Sequence, residues 1–352
     1  MKKKHGTGVI SAGAWGTAIA KIIAEKGFDV VLWDACEEVV NDINLKHRNS
    51  RYLLGVDLPE NIRATTDMSE ATVNREYILV ATPSPYVTGV TKTLATQPDI
   101  REGIPLIGVL SKGFLPGTDG PRLILDVMEN YLPGFYRNNL VYISGPSHAE
   151  EVSRGKITGL ISACANGKNS IRLRELLSGS SLLIYSSLDV TGVQVCAAVK
   201  NVIAIAFGIL EALTEITDSF GDNTESLLLA AGLAEIQSLG RTLGSQYPET
   251  FTSIAGVGDL DVTCRSRHGR NRRFGKEIIT DRLLTRFENL EDLTGNISRV
   301  GYLPEGVHAC AYVRELAGRH ALKLPVCEAV FRILNKEADP LDIIRKVFSA
   351  MI

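Results

Sequence analysis

Short apolar runs alternate with helix-period segments over the first half of the chain. "TGVIS" (7–11) reads as a β-strand and 15–26 as a helix; "DVVLWD" (29–34) is a second strand, followed by a helical pattern over 37–46. "YILVATPSP" (77–85) predicts a strand ending in a proline-rich turn, and "PLIGVL" (105–110) and "LVYIS" (140–144) predict two more. Strands alternating with helices in this way form βαβ units and a parallel sheet, in which ligands bind outside the carboxyl ends of the strands. Pro83, Lys112 and Gly145 each follow a predicted strand and fall on that edge. Near Val190 the pattern changes. From "VTGVQVCAAVKNVIAIAFGILEAL" onward helical spacing dominates and strand signals fade. The pattern predicts an α/β Rossmann-type N-terminal domain over 1–189 and a mostly α-helical C-terminal domain over 190–352, joined without a flexible linker.

Composition narrows the function. Of 352 residues, 45% are apolar and 22% charged, with a formal net charge of −2, a balance that excludes a general nucleic-acid binder. The six cysteines are scattered and form no C-x-x-C pair, which points to reduced thiols and a cytoplasmic location. The six histidines lack ligand-like spacing, so no metal is expected. "MKKKHGTGVISAGAWG" starts basic and turns apolar, but glycines interrupt it and it runs into a nucleotide-type loop, which excludes a signal peptide. No apolar run is read as approaching the roughly 18 residues of a membrane span.

Against this balance, "RSRHGRNRR" (265–273) places five arginines in nine residues. The stretch either meets an anion or is a solvated loop. No aromatic residue alternates with the arginines, so a single-stranded nucleic acid is not the partner.

The first predicted turn carries the cofactor signal. "VISAGAWGTAIA" aligns Ser11, Gly13 and Gly16 with a G-x-G-x-x-G fingerprint whose first glycine is here a serine. Gly13 lets the backbone approach a pyrophosphate, Gly16 lets strand and helix pack closely, and the amides of Ala14 and Trp15 open the helix toward the phosphates. Asp34 closes the second strand and can accept hydrogen bonds from ribose hydroxyls, which favours NAD and leaves NADP possible; alternatively it caps the next helix. No arginine follows Asp34 directly.

The chemical candidates lie farther on. Lys200 interrupts the apolar helical stretch "CAAVKNVIAIAFG", so it is either paired in a polar cleft or snorkels from a core edge. Asp259, in "AGVGDLDVTC", is read on a turn where it could pair with a lysine, with Asp261 competing for the role. Lys112 in "LSKGF" follows a strand and suits an anion, or is an ordinary exposed turn lysine. Arg270 and Asn271 could hold a phosphate.

In order along the chain, "SAGAWGTAIA", "LSKGF", "ISGPSHAEEV", "AAVKNVIAIAFG", "GDNT…GLAEI" and "AGVGDLDVTCRSRHGRNRRFG" resemble the soluble nicotinamide-dependent glycerol-3-phosphate dehydrogenases over nearly the whole length. The resemblance implies interconversion of dihydroxyacetone phosphate and sn-glycerol 3-phosphate with NAD(P)H, supplying glycerol phosphate for phospholipid synthesis by a cytoplasmic homodimer. It implies Lys200 as the catalytic acid/base, Lys112 beside both substrate and nicotinamide, and Asp259 holding the lysine and a substrate hydroxyl. Thr263, Arg270 and Asn271 would grip the substrate phosphate, with Arg270 also reaching the cofactor. Gly145 and Ser147 would line the substrate side, and Ala149, Leu303 and Glu305 the cofactor side. The chain departs from the family pattern at Ser11, at His148 (usually phenylalanine), at Gly269 (usually serine) and at Ala231 (usually arginine). Two other readings compete. One is another two-domain dehydrogenase of the hydroxy-acid or ketopantoate type, which would use a carboxylate clamp. The other is a non-enzymatic dinucleotide sensor, which could dispense with the lysine.

Overall fold

The computed structural model describes residues 6–349; the basic residues 1–5 at the start of the chain lie outside them. The chain divides into two units. One takes in the chain up to Leu115 with Arg122–Val190, and the other Pro116–Pro121 with the chain from Thr191 onward.

The first unit is built on eight strands: β1 (Gly6–Ile10), β2 (Val30–Trp33), β3 (Ile62–Thr65), β4 (Arg75–Val80), β5 (Leu106–Val109), β6 (Val141–Ser144), β7 (Thr158–Ala163) and β8 (Leu182–Ser187). Their order in the sheet is β8-β7-β6-β5-β4-β1-β2-β3. The first six strands are mutually parallel and run 3-2-1-4-5-6, the doubly wound order whose switch point lies between β1 and β4. β7 joins β6 antiparallel and β8 runs parallel to β7. β5 and β6 are buried at every position, as unbroken apolar runs in a sheet covered on both faces must be. The helices α1 (Ala14–Glu25), α2 (Glu37–Lys46), α3 (Ser84–Leu94) and α4 (Gly167–Leu177) include the covering layers, and α1 buries Ala18, Ile19, Ile22 and Ile23. The Rossmann-type α/β expectation is met in architecture. Three strands escape the sequence pattern for a physical reason. β3 and β8 are edge strands, β8 leaving Leu183 and Tyr185 exposed, and β7 opens on Thr-Gly and closes on Ser-Ala, which dilutes its apolar signal. The proline-rich segment after β4 does not extend the strand; Pro83 caps the start of α3.

The second unit is helical: α5 (Val190–Thr214, whose first residue is grouped with the other unit), α6 (Asp222–Thr242), α7 (Asp259–Arg265), α8 (Arg270–Thr280), α9 (Glu305–Arg319), α10 (Pro325–Leu334) and α11 (Pro340–Ser349) are among its elements. α5 corrects one expectation. It is long and apolar enough by length and composition to cross a bilayer, with a mean hydropathy of 2.0, yet that whole apolar window is buried inside the protein. A helix this apolar and buried is the core helix of its unit, and Gln194, Lys200 and Asn201 on it are correspondingly buried. α5 and α8 meet at backbone contact. A methyl group added at Gly208 would lie 1.9 Å from the Arg272 carbonyl oxygen, and one at Gly275 would lie 2.1 Å from that of Ile205. α6 is tied to α10 by the buried Glu235, whose carboxylate accepts hydrogen bonds from Val326 N (2.5 Å) and Cys327 N (3.0 Å), both amides of the first turn of α10. Burial pushes the Glu235 carboxyl above its usual range, and those two amides oppose the shift.

Candidate active site

In the first unit the site forms at the carboxyl ends of the strands. The turn after β1 is pinned from several sides. Ala12 N donates to Asp34 Oδ2 (2.8 Å), and the Ala12 carbonyl accepts from Thr17 Oγ1 (3.1 Å) and Asn49 Nδ2 (2.6 Å). A methyl group at Gly16 would fall 2.0 Å from the Ser11 carbonyl oxygen, which is why that position is glycine. Ser11 itself adopts φ 91°, a conformation natural to the glycine that the fingerprint places there. Its hydroxyl makes only a long contact of 3.4 Å with Gly13 N. Ser11→Gly is therefore expected to stabilise the protein by about 1 kcal/mol, as a urea titration would register; a loss of stability would mean that the hydroxyl contact outweighs the strain.

These residues fit a dinucleotide. The N-cap of α1, Gly13, supplies no side-chain cap, leaving the amides of the first turn, Ala14 and Trp15 among them, to an anion. Asp34 stands at the end of β2, as expected, but it is already engaged by the loop. Besides Ala12 N, it takes the Cys36 amide on Oδ1 (3.1 Å), and Cys36, not Asp34, is the N-cap of α2. Lys112, beyond β5, donates to the Gly145 carbonyl (3.1 Å) and Ser147 Oγ (3.2 Å), so these three candidates come together. Gly145 holds φ 138° over β7, where a side chain would meet the Gly159 carbonyl at 2.9 Å. Ala149 begins a short helix, Ala149–Val152, that packs against α1.

In the second unit Lys200, only 5% exposed, projects from α5 onto α7. Its Nζ is in direct contact with the Asp259 carboxylate, which is fully buried, and donates to Thr263 Oγ1 at 2.9 Å. Asp259 and Thr263 lie one helical turn apart on α7, and so on one face; Thr263 Oγ1 in turn donates to the Asp259 carbonyl (2.6 Å). The competition with Asp261 is resolved by direction. Asp261 is exposed and pairs with Arg265 at 3.0 Å. Asp259 is not on an open turn: a π-helical turn, Ile254–Gly258, leads straight into α7, and Asp259 is the first residue of that helix. Lys200 is thus buried and paired rather than snorkelling.

The basic stretch separates into two kinds of arginine. Arg265 pairs with Asp261 and Glu225 and lies over the Phe207 ring; Arg272 pairs with Glu211 at 2.7 Å; Arg273 pairs with Glu277 at 2.6 Å and lies over Tyr302. Arg267 and Arg270 are exposed and have no side-chain partner among the described residues. Arg270 opens α8, whose N-cap Gly269 provides no side-chain cap. Asn271, next to it, is buried. Its Oδ1 accepts from Gly306 N (2.9 Å) at the start of α9, and its Nδ2 donates to Asn201 Oδ1 (2.9 Å). Glu305 is the first residue of α9, with Leu303 two positions before it, both part-buried.

Two supporting residues lie outside the sequence expectations. Asn49 holds the nucleotide loop from a distant part of the chain, a link that local spacing cannot reveal. Asn201 does carry a signal: it stands directly after Lys200 in the apolar stretch 196–208, and its buried Nδ2 has no partner among the described residues.

Comparison with known proteins agrees with this geometry. Residues 7–170 match the family model for the NAD-dependent glycerol-3-phosphate dehydrogenase N-terminus, and residues 189–345 match that for its C-terminus. A glycerol-3-phosphate dehydrogenase (NAD(P)+) of Treponema denticola is 55% identical over 345 residues, covering 96% of this chain and 97% of that protein. One of Exiguobacterium sp. is 37% identical over 96% of this chain and 94% of its own length. Among solved structures, glycerol-3-phosphate dehydrogenase from Coxiella burnetii superposes with a TM-score of 0.84 at 31% identity, over 98% of this chain and 99% of that one. With both family models matched in order, the chain belongs to the NAD-dependent glycerol-3-phosphate dehydrogenase family.

Proposed function

We infer that this chain interconverts dihydroxyacetone phosphate and sn-glycerol 3-phosphate with NAD(P)(H), and we propose the following roles for its residues. The observation that carries the reading is the buried contact of Lys200 with Asp259 and Thr263. When bound, the reduced nicotinamide supplies a hydride to the carbonyl carbon. Lys200 gives a proton to the carbonyl oxygen in that direction and takes it back in the other, so that ketone, hydride and proton balance to the secondary alcohol. Asp259 keeps the ammonium oriented and offers an acceptor for a substrate hydroxyl; Thr263 is a second acceptor for the ammonium from the same face of α7. Arg270 and the start of α8 bind the phosphate dianion, with Asn271 fixed beside them. Lys112, held by Gly145 and Ser147, presents a second cation, while Gly13, Ala14, Trp15, Gly16, Asp34, Ala149, Leu303 and Glu305 serve the cofactor. A cytoplasmic homodimer supplying glycerol phosphate for phospholipid synthesis is the setting we propose.

The test is oxidation of NADH, and separately NADPH, with dihydroxyacetone phosphate, using unphosphorylated dihydroxyacetone as control. Turnover that depends on the phosphate is the expected result. Absence of turnover with either cofactor, in protein shown to be folded, would overturn the reading and favour a dinucleotide sensor. Equal turnover of the unphosphorylated ketone would remove the phosphate role from Arg270.

A further inference from the structure

The residues directly after β2 offer no cation, which in isolation favours NAD. The fold supplies one from elsewhere. Arg51 lies on the turn between two short strands, Arg48–Asn49 and Leu53–Asp57, and its Nη1 stands 3.3 Å from Cys36 Sγ. Cys36 is the N-cap of α2 and follows Asp34 by two residues, so the guanidinium arrives at the strand end where a dinucleotide fold holds the adenosine ribose. Two further observations bear on this cation. The Arg51 side chain is 56% exposed, its ion pair with Glu38 is loose at 3.7 Å, and its remaining contact is the face of Tyr52, so most of its donors stay available. The helix it stands against, α2, has no side-chain cap, so the amides of its first turn add positive field at the same place. The acidic groups beside it are Glu38 and Asp42, which line the same cavity as Arg51 and Lys46. The Asp34 carboxylate accepts the Ala12 amide of the nucleotide loop on one oxygen and the Cys36 amide on the other.

We propose that Arg51 is the specificity-determining residue that admits the 2′-phosphate of NADP(H), so that this site carries an acceptor for the ribose hydroxyl of NAD(H) and a donor for the phosphate of NADP(H) side by side. The inference rests on the dinucleotide site of the proposed function but not on its chemistry, and binding alone tests it. The chain has two tryptophans, Trp15 in the first turn of α1 and Trp33 at the end of β2, so quenching of their fluorescence reports on this site. NADPH and NADH would each be titrated into the wild type, Arg51→Ala and Arg51→Lys, with melting temperatures recorded to establish that all are folded.

The expected result is a wild type that binds both, with the ratio of Kd for NADPH to Kd for NADH rising about tenfold in Arg51→Ala and much less in Arg51→Lys. Added salt should raise the same ratio in the wild type and barely move it in Arg51→Ala. An unchanged ratio in Arg51→Ala overturns the proposal, as does a wild type that binds NADH and not NADPH. Selective loss of NADPH binding in a protein that fails to reduce dihydroxyacetone phosphate would support Arg51 while refuting the proposed reaction.

Discussion

Lys200→Ala is expected to lower kcat by at least about 10²–10⁴-fold, the contribution of a positioned acid/base, while the Kd for NADH stays near its wild-type value. The dinucleotide loop and Lys200 belong to different units, which is why binding should survive. The substitution also has a cost in the fold. Asp259, with no exposure, loses the ammonium it touches, and breaking a buried pair on one side costs about 3–5 kcal/mol. The melting temperature should therefore fall, and lost activity could be mistaken for lost structure. The double variant Lys200→Met with Asp259→Asn separates the two, because it removes both buried charges together. Its melting temperature should recover much of the loss and its kcat should not. Calorimetry alongside steady-state kinetics makes the comparison, and a single Lys200→Ala variant within about tenfold of wild-type kcat would take the lysine out of the proton transfer.

Arg270→Ala should behave in the opposite way. The guanidinium is exposed and makes no side-chain contact among the described residues, so its removal should leave stability within about 0.5 kcal/mol of wild type. The kcat/KM for dihydroxyacetone phosphate should nevertheless fall about 10²–10³-fold, mostly through KM, because a charge-assisted contact to the phosphate disappears. Arg267→Ala is the matched control: an equally exposed arginine of the same stretch, expected to have little effect. A parallel loss in both variants would mean a general electrostatic field rather than a specific grip.

Lys200 and the arginines also differ in how far their surroundings are legible in the amino-acid sequence. Lys200 stands out as the one charge in the stretch 196–208, and a lysine there has to find a partner. Which of Asp259 and Asp261 answers it does not follow from spacing, because the turn-to-helix junction at Gly258 decides which of the two points inward. The glycine loop is legible because strand, turn and helix are adjacent in sequence. The supports of that loop are not. Asn49 reaches it from a short ribbon farther along the chain, where Arg51 meets Cys36 instead, and nothing in their local pattern distinguishes them from an exposed turn. The order of β1 to β6 follows from βαβ logic, whereas at the sheet's far side β7 and β8 run against the other strands and carry too many small or outward-facing residues to stand out. In the arginine stretch, composition reveals the excess of charge, but only the packing around α7 and α8 assigns three of the five to Glu211, Glu225, Asp261 and Glu277.

The contact between α5 and α8 at Gly208 and Gly275 has one more consequence. Main chain touches main chain at both points, so at these two crossings no side chain stands between the helices that could be trimmed or thickened to slide one along the other. The lysine proposed for proton transfer sits on one of these helices, and the helix start proposed to bind the phosphate belongs to the other. On the proposed roles the two helices act as a ruler of fixed length, and a phosphorylated ketone longer by one carbon is expected not to be met by a shift of α8. Selection for new substrates on this scaffold would have to work on the reach of individual side chains, leaving the spacing of the two helices as inherited.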